Sequence, residues 1–146
     1  MRYKHIVAGV VATSLLTLVV TGTAEAKDRR CGPTYEQDGF GSLGTSFTLK
    51  SKHDDDGPAG SPFVVGEEFE IHTNVAGQVW TITFADNGKV FFTGDDVSTT
   101  TGIREQHPTA NQPGVTQHMT ADALNHTTGE TIHGFLDVLP VPRCGG

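Results

Sequence analysis

From residue 46 onward, apolar and polar side chains alternate with a period of two, and nowhere downstream of residue 26 do apolar residues persist at helical spacing. Ser46 to His53 places Phe47 and Leu49 on one face of a strand. Phe63 to Val65 approaches a second, Glu67 to Asn74, where Phe69 and Ile71 alternate with Glu68, Glu70 and His72, the pattern of a strand with one wet face. Val79 to Ala85 sets Trp80, Ile82 and Phe84 against Thr81 and Thr83, with Trp80 read as a core residue. Asp86-Asn87-Gly88 then predicts a tight reversal into Lys89 to Thr93, because Asn-Gly supplies the two left-handed residues that a short hairpin turn needs.

Gly94 to Gly102 reads as a polar loop, Ile103 to His107 as a short strand and Pro108 to Gly114 as a second loop. A closing hairpin is clearer. Val115 to Leu124 and Glu130 to Leu139 flank Asn125 to Gly129, and pairing Ala123 with Ile132, Ala121 with Gly134 and Met119 with Leu136 puts the apolar residues on one side, except Leu124, Phe135 and Leu139. Residues 27–45 read as an irregular N-terminal segment, and 46–146 as a β-sandwich domain with a C-terminal tail. The expected fold is all-β, an antiparallel two-sheet immunoglobulin-like sandwich of about seven strands.

The chain begins differently. Arg2 and Lys4, the apolar run Ile6 to Val20 and the small-x-small site Ala24-Glu25-Ala26 read as a secretory signal peptide over residues 1–26. The apolar run falls short of the roughly 20 residues a spanning helix needs, so no membrane insertion is expected after cleavage. Removing 26 of 146 residues leaves 120, room for one domain. Of 10 basic and 17 acidic residues the leader takes two and one, leaving a formal charge of −8. That balance excludes nucleic acid as a partner, since phosphate recognition needs clustered Lys and Arg; the one basic doublet, Arg29-Arg30, sits at the presumed start of the exported chain.

Both cysteines fit an oxidising compartment. Cys31 and Cys144 bracket nearly all of the exported chain, and a disulfide between them is expected to act as a clasp on its termini.

From about Ser46 to Leu139 the order of features resembles immunoglobulin-like domains of secreted bacterial proteins. It comprises a strand ending near Ile71, an aromatic strand carrying Trp80, a polar middle, and a closing hairpin with Thr120-Ala121-Asp122-Ala123 and Thr127-Thr128-Gly129-Glu130. Met119, Ala121 and Ala123 stand on the penultimate strand, where antibody-type domains carry a cysteine and a tyrosine. The resemblance implies an adhesion, binding or spacer role, with an extracellular protein or a glycan as partner.

The candidate chemistry is sparse. His72, His107, His118, His126 and His133 form no compact ligand spacing, so no metal site or cofactor is expected. The register above does set His118 opposite Asp137 and His133 opposite Asp122, and a cation held by these four side chains is the alternative reading. Asp54-Asp55-Asp56-Gly57-Pro58 and Asp95-Asp96 offer oxygen ligands without the calcium-loop spacing and read as solvated turns. Phe91 and Phe92 are adjacent, so only one should enter the core; the other, with Phe135, forms the expected contact surface. Ser42, Ser46, Ser51, Ser61 and Ser98 lack a nucleophile elbow, and no enzyme is expected. A third reading, an inhibitor of secreted hydrolases, would display Gly94 to Gly102 or Pro108 to Gly114.

Overall fold

The Asn87-Gly88 dipeptide does turn the chain: both residues adopt positive φ, 49° and 78°, in the mirror-image turn whose twist suits a hairpin. In the structure, a computed structural model, residues 31–54 and 63–141 are described. The expected leader Met1 to Ala26, Arg29-Arg30, the Asp55 to Pro58 turn and Cys144 lie outside the described residues.

Eight strands follow in order: β1 (Tyr35–Phe40), β2 (Ser46–Asp54), β3 (Val64–His72), β4 (Val79–Asp86), β5 (Lys89–Val97), β6 (Ile103–Ala110), β7 (Gln117–Asn125) and β8 (Thr131–Val138). They build two antiparallel four-stranded sheets, β1-β2-β3-β6 and β5-β4-β7-β8, packed as a sandwich. Here β2 lies between β1 and β3, whereas in the immunoglobulin order the second strand lies between the first and the fifth. Between the sheets lie Phe47, Leu49, Val65, Phe69 and Ile71 from the first, and Trp80, Ile82, Phe84, Met119, Ile132 and Val138 from the second. Each belongs to the inward parity of its strand, which is why alternation finds them.

The closing hairpin has the expected register, with Met119 opposite Leu136, Ala121 opposite Gly134 and Ala123 opposite Ile132. Leu124, Phe135 and Leu139 are the exposed exceptions.

Other expectations are corrected. Residues 27–45 are not wholly irregular, because Tyr35–Phe40 pairs with β2. Its apolar signal is missing because Gly39 stands at an inward position and the ring of Phe47 fills the place of its side chain, coming within 2.6 Å of where a Cβ would sit. The Gly94 to Gly102 loop is likewise half strand, since β5 runs to Val97 and carries Asp95 and Asp96. There the Phe92 ring lies 2.7 Å from the place of a Gly94 Cβ. Pro108 falls inside β6, which a proline can occupy because β6 is an edge strand.

Phe91 and Phe92 do not divide between core and solvent. A bulge between Phe84 and Ala85 pairs Phe84 with Phe92 and Ala85 with Val90, leaving Phe91 as the extra residue. The bulge turns both rings toward Phe84, with centroids 6.0 and 5.6 Å away, and both pack on the core.

β1 also closes the side of the sandwich. Outward N–H groups of β8 and of Leu139 just after it are capped from β1 and from the turn that follows β1: Thr131 donates to Ser42 Oγ (3.0 Å), Phe135 to Gln37 Oε1 (2.8 Å) and Leu139 to the Tyr35 hydroxyl (3.3 Å). An edge so capped offers little to a passing strand.

Candidate functional site

The outer faces of the two sheets differ in chemistry. On the first sheet, Lys50 lies 3.8 Å from Glu68 and 4.0 Å from Glu70, while Arg104 reaches Glu68 at 2.5 Å and Glu70 at 3.5 Å. Gln106 also donates to Glu68. Partial burial raises the Glu68 pKa, but hydrogen bonds and the Arg104 charge outweigh it and hold the carboxyl below its ordinary value. These charges are satisfied among themselves.

The second sheet presents a threonine-rich outer face, built in rows across β5, β4, β7 and β8. Thr93, Thr83, Asp122 and His133 form one row, and Val90, Ala85, Thr120 and Phe135 the next. Small threonines pave the middle because β-branched side chains suit a half-wet strand. Thr83 and Thr93 share a hydroxyl contact at 3.2 Å, and Thr81 donates to Asp95 (2.6 Å) while meeting His126 Nε2 at 2.6 Å. Apolar side chains remain on this face: Phe135 is 57% exposed, Val90 55%, Val97 53% and Leu124 41%.

Both expected histidine pairs are present. His118 Nδ1 lies 2.5 Å from Asp137 Oδ1, and His133 Nδ1 lies 2.6 Å from Asp122 Oδ1; since a carboxylate only accepts, each imidazole donates through Nδ1. All four side chains are more than half exposed, so each pair contributes only about 0.2–1 kcal/mol. The Thr120–Phe135 row separates them, and four residues of strand put the pairs about 13 Å apart. One cation cannot bridge that gap. Among the described residues no group of three or more His, Cys, Asp or Glu is disposed to hold a metal ion.

Phe135 therefore occupies the position between the two pairs, its ring 6.4 Å from that of His133 and 26° from parallel. Phe91 and Phe92, expected to share the contact surface, are half-buried against Phe84 instead. Cys31 is buried, and no cysteine among the described residues is a free thiol.

Polar groups inside the sandwich are what pattern reading missed. Glu67, Asp86, Gln117, Asn125 and Glu130 are all buried, each sharing the parity of core residues on its strand or beside it. That parity was the available signal: Glu67 stands two residues before Phe69, and Glu130 two before Ile132. Compared with known proteins, the chain matches no family model, no curated protein and no solved structure.

Proposed function

We propose that the protein is an exported, non-enzymatic β-sandwich module that binds a partner protein outside the cytoplasm through the outer face of its second sheet. The observation that carries this reading is Phe135, exposed on a threonine-rich face between two histidine–aspartate pairs, while the opposite face spends its charges on internal ion pairs. Large aromatics ringed by polar groups anchor protein interfaces because they combine apolar area with little loss of conformational freedom. Residues Met1 to Ala26 supply the export argument, and Cys31 and Cys144 the oxidising compartment. The pattern of the sequence from Ser46 to Leu139 implies an adhesion or binding role through its resemblance to immunoglobulin-like domains, although the strand order of the first sheet departs from theirs.

The test compares the parent chain with Phe135→Asp in cross-linking and co-purification from the culture medium of the producing organism. A partner recovered by the parent, lost by the variant and cross-linked to β7 or β8 is the expected result. Equal recovery by both, or cross-links confined to the first sheet, overturns the reading.

A further inference from the structure

We infer a second binding site, independent of that face: a cleft at one end of the sandwich, shaped for an uncharged, hydroxyl-rich ligand such as a neutral oligosaccharide. Four connections meet there, those between β1 and β2, β3 and β4, β5 and β6, and β7 and β8, bordering an open cleft of about 590 Å³.

Its lining is rich in hydroxyls, from Thr45, Ser46, Thr73, Thr100, Thr101 and Thr128, joined by the amides of Asn74 and Gln78. Among the described residues no Lys, Arg or Asp lines it. Leu43 and Val75, 67% and 50% exposed, stand on different connections and offer apolar surface to the C–H face of a sugar ring. Alternating C–H faces and hydroxyls on a ligand match alternating apolar and hydroxyl groups on a wall. Beyond Glu130 and His72, charged ligands find no counterion among the described lining residues.

Two lining residues titrate, and both are already engaged. Glu130 is 3% exposed; its Oε1 accepts from the backbone N–H of Leu43 (3.1 Å) and Thr45 (2.9 Å), and its Oε2 from the Thr45 hydroxyl (2.7 Å). His72 Nε2 meets the Thr48 hydroxyl at 2.9 Å, and because that hydroxyl donates to Asp38 Oδ1 (2.7 Å), Nε2 is the donor to it. In the neutral imidazole Nδ1 is then left as an acceptor.

The walls are also set in advance. Glu130 ties the connection after β1 to the one after β7. On the other side Ser98, 3% exposed, accepts from the Gln78 N–H (3.0 Å) and donates to the Val75 carbonyl (2.7 Å) through one hydroxyl, tying the connection after β3 to the end of β5. Walls pinned by buried hydrogen bonds lose little freedom on binding, which favours affinity for a weakly interacting polar ligand.

Soluble oligomers of glucose, mannose and N-acetylglucosamine are titrated into the isotope-labelled protein, with an oligouronate as charged control. Backbone amide shifts confined to residues 43–46, 73–78, 100–101 and 128 are expected for a neutral oligomer. The Asn74→Ala/Thr100→Ala double variant should weaken that binding about tenfold or more at unchanged melting temperature, and Phe135→Asp should leave it intact. No shift up to about 10 mM of any neutral oligomer, shifts mapping elsewhere, or tighter binding of the oligouronate overturns the inference. Because the two variants alter different residues, none shared between the cleft lining and the Phe135 face, this result and that of the partner capture fail independently.

Discussion

Glu67 of β3 and Asp86 of β4 interact across the space between the two sheets, 2% and 5% exposed, and among the described residues neither Glu67 oxygen has a hydrogen-bond partner. Burial, and secondarily the negative charge of Asp86, push the Glu67 carboxyl from 4.5 to about 9. Asp86 is itself held through Oδ2 by the side-chain amides of Gln112 (2.9 Å) and Gln117 (2.7 Å). Folding therefore keeps a proton on Glu67 at neutral pH.

The unfolded chain gives that proton up near 4.5, and the folded chain keeps it until about 9, so stability from this group is greatest below the lower value and falls through the interval. The slope is at most about 1.4 kcal/mol per pH unit. Glu67→Gln, which retains shape and removes titration, should flatten this decline and be the more stable protein at about pH 8. Urea denaturation across the interval checks it; a parent chain that gains stability as pH rises through that range would refute the assignment.

Two glycines should respond very differently to the same change. Gly88, φ 78°, has open space where a Cβ would be, so Gly88→Ala costs only the left-handed backbone, about 1 kcal/mol. Gly102, φ 100°, would drive a Cβ into the Ile71 carbonyl oxygen, and Gly102→Ala should cost about 3 kcal/mol or more. Equal denaturation midpoints for the two variants would contradict this ranking.

Glu130→Ala leaves two backbone N–H groups and a hydroxyl without their acceptor, and should lower stability by about 1–3 kcal/mol. Glu130→Gln, which keeps one carbonyl acceptor, should lose less. Thermal melts of both variants decide the order, and hydrogen exchange at Leu43 and Thr45 should rise in the alanine variant first.

Intact mass under non-reducing conditions should show two hydrogens fewer than the reduced chain if Cys31 and Cys144 are joined as proposed. Closing a loop of that length restricts the unfolded chain by up to about 4–5 kcal/mol, so reduction should lower the melting temperature markedly. Two reactive thiols in the native secreted protein would remove the clasp.

Strand identity was legible wherever one face of a strand is apolar. Phe47 and Leu49, Phe69 and Ile71, or Trp80, Ile82 and Phe84 announce themselves because side-chain direction alternates along a regular strand. The closing hairpin was legible to its register, and with it the His118–Asp137 and His133–Asp122 pairs, because slipping by one residue would have exposed the core. β1 and the far half of β5 were not, since at Gly39 and Gly94 the inward volume is filled by a phenylalanine two positions along its own strand or on its neighbour.

Alternation and turn residues by themselves determined that this chain folds as layered antiparallel sheets, and which side chains the regular strands β2, β3, β4, β7 and β8 turn inward, because those choices are made within a few residues. Tertiary structure alone decided which strands share a sheet, that the bulge at Phe91 sends two adjacent rings to one core, and that Glu67 confronts Asp86. It also gathered four distant connections around one cleft. Those outcomes depend on contacts between segments far apart in the chain, where the position of a residue says nothing about its neighbours until the sheets have closed on each other.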